Sequence, residues 1–137
     1  QQLAMPIVYE TGIQSLCESP KIYEQFPEFE VYRQLPGTWD STIVIDGKIG
    51  EYIIIARKSE DKWFIGGMTN SQSRDVKFSL NFLGNSRYDA IIYSDASDGD
   101  GNPEKVITTK INTGSGNKFA IKMAKGGGFA VILTKSR

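Results

Sequence analysis

Residues 52–69 read YIIIARKSEDKWFIGGMT, and this stretch decides the fold class. Residues 52–56 are apolar on both faces of a strand, which is typical of a central strand in a sheet. Residues 63–68 form a second apolar run, and a polar turn separates the two. The glycine pair Gly66-Gly67 allows the close approach of a neighbouring backbone or a bulge. The stretch therefore predicts two strands, of which the first is central.

The chain beyond Gly37 continues this strand pattern. Turn signals recur about every ten residues, and apolar residues alternate with polar ones as in a half-buried strand. Asp46-Gly47, a dipeptide typical of hairpin turns, is expected to end the first strand. No helices alternate with the strands, so the pattern predicts a mainly β fold, an antiparallel β-sandwich of about eight strands. The expected strands lie at residues 43–45, 52–56, 63–68, 76–82, 88–93, 105–111, 118–123 and 129–133.

The start of the chain differs, because its apolar residues recur at helical spacing. This spacing predicts a first helix that ends near Glu18, although Pro6 would kink it unless the helix begins there. Ser19-Pro20 is typical of a helix start and predicts a short helix through Phe26. Pro27 repeats the signal and is expected to begin a third short helix.

The change of period at Gly37 divides the chain into two parts. Residues 1–36 are expected to form a helical lead-in, and residues 37–137 a β-sandwich. The apolar face of the first helix needs a partner, which indicates that the chain is a piece of something larger.

The composition excludes several classes of function. The chain has no histidine, which removes Ser-His-Asp and Cys-His nucleophile pairs, histidine metal ligands and imidazole bases. Cys17 is the only cysteine, so we interpret it as a small apolar residue on a buried helical face. Sixteen basic residues balance sixteen acidic ones, and no net positive field is present to hold nucleic acid or an anionic membrane.

One acidic segment resembles the opening of a calcium loop. Asp98-Gly99-Asp100-Gly101-Asn102 has oxygen-bearing side chains at alternate positions. The match then fails, because Pro103 stands where an EF-hand loop needs glycine and Thr109 where it needs a bidentate glutamate. We therefore expect a solvated loop. The glycine-rich segments at residues 114–116 and 126–128 lack phosphate-binding motifs, and we expect turns there.

Carboxylates are the remaining route to acid–base or glycosidic chemistry in a chain without histidine. Acids at strand ends and turns are usually caps or solvated charges, so we expect no catalytic residue among them. The acids that lie on or beside expected strands are Asp40, Asp46, Glu51, Asp95 and Glu104.

Four aromatic residues, Trp39, Trp63, Tyr52 and Tyr93, would stack on sugar rings if they formed one flat platform. Core packing explains them as well. Trp63 lies within an apolar strand and Trp39 at the helix-to-strand junction, so burial is the favoured interpretation for both.

Taken in order, several short motifs resemble the C-terminal region of glycoside hydrolase family 97 (GH97), bacterial enzymes that cleave α-linked sugars. Their order and spacing cover nearly the whole chain. The motifs are QLA at residues 2–4, VYE at 8–10, SP at 19–20, TWD at 38–40, DGKIGEY at 46–52, AR at 56–57, WFIGGMTN at 63–70, FL at 82–83 and GGGFA at 126–130.

The resemblance implies a three-part enzyme with an N-terminal β-sandwich, a central (β/α)8 barrel and this C-terminal β-sandwich. The first helix here would be the last helix of the barrel, which would account for its unpartnered apolar face. Calcium and the catalytic carboxylates are implied for the upstream barrel, so no catalytic, cofactor-binding or metal-binding residue is expected in this chain. The loop at residues 95–103 is shorter than is usual for the family, and Pro6 is unusual in the barrel helix.

The implied function is that of a non-catalytic domain of a periplasmic or secreted α-glycosidase. It would pack against the upstream barrel and support oligomerisation. The alternative is a carbohydrate-binding module that holds polysaccharide through an aromatic face. Whether the parent enzyme cleaves α-glucosides or α-galactosides, and whether it inverts or retains, depends on carboxylates upstream.

Overall fold

Short helical segments begin the chain, and β-strands form most of the rest. The computed structural model describes residues 1–10, 19–96 and 105–137. Proline stands in the first turn of the first three helical segments, where its missing N–H costs no hydrogen bond. The helical segments are α1 (Met5–Val8), α2 (Pro20–Tyr23), a 3-10 helix (Pro27–Phe29) and α3 (Glu30–Gln34).

Eight strands follow in the described part of the chain: β1 (Ser41–Lys48), β2 (Tyr52–Ser59), β3 (Lys62–Thr69), β4 (Arg74–Ser79), β5 (Arg87–Asp95), β6 (Val106–Gly114), β7 (Lys118–Met123) and β8 (Gly128–Lys135). Six of them form one large sheet in the order β1-β2-β3-β8-β5-β6, and β4 and β7 form a two-stranded ribbon. Every pairing is antiparallel. The expected antiparallel β-sandwich is confirmed, with one large and one small sheet.

The ribbon lies over one face of the large sheet, which we call the inner face. On β7, Phe119, Ile121 and Met123 are buried while the residues between them are exposed, as expected of a strand with one solvated face. They pack against sheet residues that include Ile65 and Val131. This layer is the main hydrophobic core.

The opposite face of the large sheet, the outer face, is covered in part by the helical lead-in. A second apolar cluster forms there from residues of the lead-in and of β3, β5 and β8, among them Leu3, Ile7, Val31, Phe64, Tyr93, Ala130 and Ile132. Strands β2 and β3 are therefore covered on both faces, which explains why the sequence of residues 52–69 is apolar without alternation.

The first hairpin turn is not where the sequence predicted it. Asp46-Gly47 lies inside β1, opposite Ile54 and Ile53, so the prediction of a turn there is wrong. A β-bulge between Val44 and Asp46 shifts the register, and the turn falls at Ile49-Gly50. Gly50 adopts φ 77°, which a residue without Cβ reaches at little cost.

The helices of the lead-in are shorter than predicted. Helix α1 ends at Val8 because Tyr9 is extended, so an unbroken first helix is wrong, and residues 11–18 lie outside the described residues. Helix α2 ends at Tyr23 rather than Phe26. Because Pro27 disfavours helical backbone in the residue before it, Phe26 adopts φ −116° and ψ 106°.

Strand β4 is also shorter than predicted. It ends at Ser79, and residues 81–83 form a 3-10 helix. Leu80 and Leu83 nevertheless turn into the main core, where both are buried. The apolar residues at 76–82, predicted to lie on one strand, therefore belong to a strand and to the 3-10 helix that follows it.

Candidate functional site

Helix α1 lies directly on the outer face of β3, and Gly66 makes the contact possible. A Cβ atom added at Gly66 would lie 2.9 Å from Cβ of Ile7 and 3.0 Å from Cγ2 of Val8. On the inner face, Gly67 leaves the equivalent space for the ring of Phe129. The glycine pair therefore admits side chains on both faces, and no bulge interrupts β3 there.

Arg57 fixes the C-terminal end of α1 to β2. Its side chain, only 5% exposed, donates hydrogen bonds from Nε to the carbonyl oxygen of Ile7 at 2.7 Å and from Nη2 to that of Val8 at 3.4 Å. The guanidinium carbon also lies 5.7 Å from the ring centroid of Trp39. Carbonyl groups at a helix C-terminus lack partners within the helix and carry partial negative charge, so a guanidinium suits them.

Four aromatic rings of the lead-in form a second feature, which we call the aromatic cluster: Tyr23, Phe26, Phe29 and Tyr32. The ring centroid of Phe29 lies 4.6 Å from that of Tyr23, 5.8 Å from that of Phe26 and 5.3 Å from that of Tyr32. Three of the rings line a cleft of about 580 Å³ between the lead-in and the sheet. The ring of Phe26 is 42% exposed, whereas the other three rings are partly buried.

Tyr32 ties the aromatic cluster to the beginning of the chain. Its hydroxyl donates a hydrogen bond to the carbonyl oxygen of Gln2 at 2.8 Å. Burial raises the pKa of Tyr32 to about 12, and the neighbouring Tyr23 adds to the effect. The phenol therefore stays neutral, and remains a donor, well beyond physiological pH.

Two of the acids considered for catalysis hold turns instead. Asp40 accepts a hydrogen bond at Oδ2 from the N–H of Glu60, 2.7 Å away, in the turn between β2 and β3. Asp95 accepts at Oδ2 from the N–H groups of Ala124 at 2.8 Å and Gly128 at 3.0 Å. Their carboxylates serve as caps, as expected for acids at strand ends and turns.

The acids beside the first hairpin turn face basic and phenolic groups. Glu51 lies 2.6 Å from Nζ of Lys48 and 2.9 Å from Nη2 of Arg74. The hydrogen bond from Lys48, helped by the charge of Arg74, lowers the pKa of the Glu51 carboxyl. Tyr52 donates to Oδ2 of Asp46 at 3.0 Å, and this hydrogen bond raises the pKa of Tyr52. An acid with a lowered pKa is a poor proton donor near neutral pH.

The four aromatic residues considered for sugar binding do not share one surface. Trp63 lies in the main core, 6% exposed, with its ring centroid 4.8 Å from that of Phe82. Trp39 and Tyr93 belong to the outer-face cluster, whereas Tyr52 packs against the inner core. The predicted burial of Trp63 is confirmed, whereas Trp39 is only partly buried. Because the sheet lies between these rings, a platform made of all four is excluded.

Residues 1–10, 19–96 and 105–137 contain no group of three or more metal-ligating side chains, and none of their helices has the length and apolar character needed to cross a membrane. The calcium-like segment at residues 98–102 lies outside this range, as do Glu104 and Cys17, so the interpretations given for them stay predictions.

The two edges of the large sheet differ in character. At one edge, β1 has a bulge and two charged residues, Asp46 and Lys48. At the other edge, β6 pairs with β5 over nine residues without a register shift, and Lys110 is its one charged residue. Ile107 is 43% exposed on this strand and Ile111 is 40% exposed. Natural proteins protect sheet edges with bulges and charges, and β6 has little of either.

The sequence patterns predict no role for Arg57 or for the isoleucines of β6. The sequence does contain a signal for Arg57, because this charged residue directly follows five apolar ones. A charged side chain on a covered strand needs hydrogen-bond acceptors within the protein. For Ile107 and Ile111 the available signal was a strand with little charge. Recognising it as an edge requires the strand order.

Comparison with known families gives a direct match. A family model described as glycosyl-hydrolase 97 C-terminal, oligomerisation, matches residues 38–134. The chain belongs to this family. The match contains β1 to β7 and nearly all of β8 of this GH97 domain, and it leaves out the helical lead-in. The resemblance of the sequence motifs to this family is confirmed.

Two curated relatives extend the match over the lead-in. The GH97 domain is 34% identical over 132 residues to a retaining alpha-galactosidase of Bacteroides thetaiotaomicron, covering 96% of this chain. It is 30% identical, with the same coverage, to a probable retaining alpha-galactosidase of Streptomyces bingchenggensis. In both cases the chain spans 20% of the relative's length.

A solved structure supports the fold. A glycoside hydrolase family 97 enzyme from Pseudoalteromonas sp. strain K8, in complex with acarbose, superimposes with a TM-score of 0.95 at 29% identity. The alignment covers 99% of this chain and 22% of that enzyme. The helical lead-in therefore aligns together with the sandwich.

Proposed function

We propose that this GH97 domain is a non-catalytic part of an α-glycosidase, in which it holds the last helix of an upstream catalytic barrel and supports assembly with further copies. The family description supports the assembly role. The names of the two curated relatives support α-galactosides as the first substrates to test on the whole enzyme.

The seating of α1 on the large sheet carries this proposal. Gly66 removes the side chain that would keep the helix away, and Arg57 donates to two carbonyl groups at its end. A helix held by both packing and charged hydrogen bonds moves with the sheet, so the domain can transmit its stability to whatever precedes α1.

The state of the carboxylates supports the non-catalytic role. Asp40 and Asp95 are engaged by backbone N–H groups, and Glu51 by Lys48 and Arg74. We further propose that the catalytic carboxylates and a calcium ion belong to the upstream barrel, and that the enzyme acts in the periplasm or outside the cell. These two proposals rest on family membership. Metal analysis of the full-length enzyme and fractionation of its source cells would test them.

Deletion of residues 37–137 from the full-length enzyme tests the main proposal. The shortened enzyme is expected to lose heat stability and to have a smaller oligomeric mass, because the barrel's last helix loses its support. Unchanged stability, activity and oligomeric state would contradict the proposal.

Two assays on the 137-residue chain address catalysis and sugar binding. The chain is expected to release no product from aryl α-glycosides, and to show no saturable binding in titrations with α-glucans and α-galactosides. Saturable binding that disappears in a folded Trp39→Ala variant would instead favour a carbohydrate-binding module.

A further inference from the structure

We propose that strand β6 pairs antiparallel with β6 of a second copy, so that two large sheets continue into one across a two-fold axis. The inference rests on the assembly role proposed above and names the surface that performs it. Two-fold interfaces use the same patch on both partners, and an antiparallel pair of identical strands satisfies this requirement. The contact would thus consist of backbone hydrogen bonds between the two β6 strands and of the side chains that these strands carry.

The side chains of β6 place apolar groups where the ribbon does not cover them. Ile111 lies opposite Ala90 of β5, a residue of the main core, and therefore points to the inner face. Ile107 lies four residues earlier and shares that face. The ribbon packs against β5 and β8, and the residues of β6 from Ile107 to Asn112 remain exposed. A partner strand would bury these two isoleucines, which are 43% and 40% exposed in the described part of the chain.

Other exposed surfaces are less suited to a second copy. The aromatic cluster lies in residues 20–34, outside the region of residues 38–134 that the family description links to oligomerisation. Val44, the most exposed apolar residue of β1, is 64% exposed but adjoins the bulge and the charged pair Asp46 and Lys48. These features oppose strand addition at that edge.

Strand β6 is complementary to itself when the two-fold axis passes through Thr109. In that register, Ile107 faces Ile111 of the partner subunit, and each isoleucine pair forms an apolar cross-strand contact. Lys110 faces Thr108 of the partner subunit, so the two lysines avoid a direct like-charge pair. An axis through Lys110 would place the lysines opposite each other. The sequence of β6 therefore favours one register.

The test is made in the full-length enzyme that contains this chain. The Ile107→Lys/Ile111→Lys variant places four like charges at the proposed contact of two copies. It is expected to weaken the dimer about 100-fold and to halve the mass measured by sedimentation at low concentration. The matched control, Val44→Lys at the opposite edge, is expected to keep the wild-type mass.

A second variant tests the register without charge. Thr109→Cys would place the two thiols directly opposite each other, at a Cα separation of about 4.5 to 5.5 Å, within the range that a disulfide spans. Mild oxidation is expected to give a covalent dimer in Thr109→Cys and none in Val44→Cys. Cross-linking of Thr109→Cys without cross-linking of Val44→Cys supports the proposal even if the lysine variant fails to fold.

The outcomes separate this inference from the proposed function. If the enzyme is oligomeric, the folded lysine variant keeps its mass and Thr109→Cys does not cross-link, the role of β6 is wrong while oligomerisation stands. If the lysine variant has lower heat stability but stays oligomeric, the two isoleucines stabilise the fold of each copy and not the contact between copies. That result overturns the inference. A wild-type enzyme that is monomeric at every concentration overturns both.

Discussion

Nε of Arg57 lies 2.7 Å from the carbonyl oxygen of Ile7, and this hydrogen bond joins residues 50 positions apart in the chain. It links β2, an interior strand of the large sheet, to the helix that precedes the sandwich. The guanidinium group presents several donors in a fixed plane, so it holds two carbonyl groups at once. The stability of the lead-in therefore depends on a residue of β2.

Replacement of this arginine tests the link. Arg57→Ala leaves the carbonyl groups of Ile7 and Val8 without their donor and removes packing against Trp39. The free energy of unfolding should therefore fall by about 2–3 kcal/mol. Arg57→Lys should recover only part of the loss, because an ammonium group lacks the planar fork. Denaturant unfolding of the 137-residue chain measures both.

The control for that experiment is Arg33→Ala. Arg33 is 66% exposed, and its ion pair with Glu30 spans 3.5 Å, so its removal should change stability by less than about 0.5 kcal/mol. Equal effects of the two alanine variants would show that the buried arginine does not hold the lead-in.

Gly66 offers a test that involves packing alone. A methyl group at this position would meet Ile7 and Val8, so Gly66→Ala should lower stability by about 1–3 kcal/mol as α1 moves away. Gly37→Ala is the matched control, because a Cβ there has nothing within 4 Å, and its expected effect is within about 0.5 kcal/mol. Thermal unfolding of the two variants measures the difference. A harmless Gly66→Ala would mean that the helix is not seated as described.

The raised pKa of Tyr32 predicts a base-dependent stability. A phenol whose pKa rises from 10.0 to about 12 on folding contributes stability that is complete below pH 10 and is lost as the pH approaches 12. Phenolate absorbance should therefore show a group that ionises near pH 12 and that is absent in Tyr32→Phe. The variant should also lose less stability than the wild type between these two pH values. Identical titrations of the two proteins would contradict the raised pKa of Tyr32.

Removal of the buried hydroxyl of Thr113 is expected to stabilise the domain. The residue is 1% exposed, and Oγ1 has no hydrogen-bond partner among the described residues. Thr113→Val keeps the shape of the side chain and removes the unsatisfied hydroxyl, so the free energy of unfolding should rise by about 1 kcal/mol. Thr134→Val, at an exposed position of β8, should have little effect. A destabilised Thr113→Val would show that the hydroxyl does have a partner.

The strands were predictable from the sequence because burial on a pleated sheet dictates their patterns. The alternation of Phe119, Ile121 and Met123 reports one solvated face, and the run at residues 52–56 reports two covered ones. Turn position was less predictable. Asp46-Gly47 has the composition of a turn, but the bulge in β1 carries the strand beyond it.

The candidate interaction surfaces were harder to predict, because they depend on which strands are neighbours. Ile107 and Ile111 have the same spacing as Phe119 and Met123, yet the first pair is exposed and the second is buried. The difference arises because β6 is an edge strand beyond the ribbon, while β7 belongs to the ribbon. Local alternation gives the face of a strand but not its place in the sheet order.

Activity and heat inactivation of the Arg57→Ala full-length enzyme, measured together on an aryl α-galactoside, test the central claim most directly. If the domain is non-catalytic and holds the upstream barrel, kcat/KM of the freshly folded variant stays within about twofold of the wild-type value, while inactivation on heating is faster. A large fall in kcat/KM with unchanged heat stability would contradict this account and assign the domain a part in the chemistry.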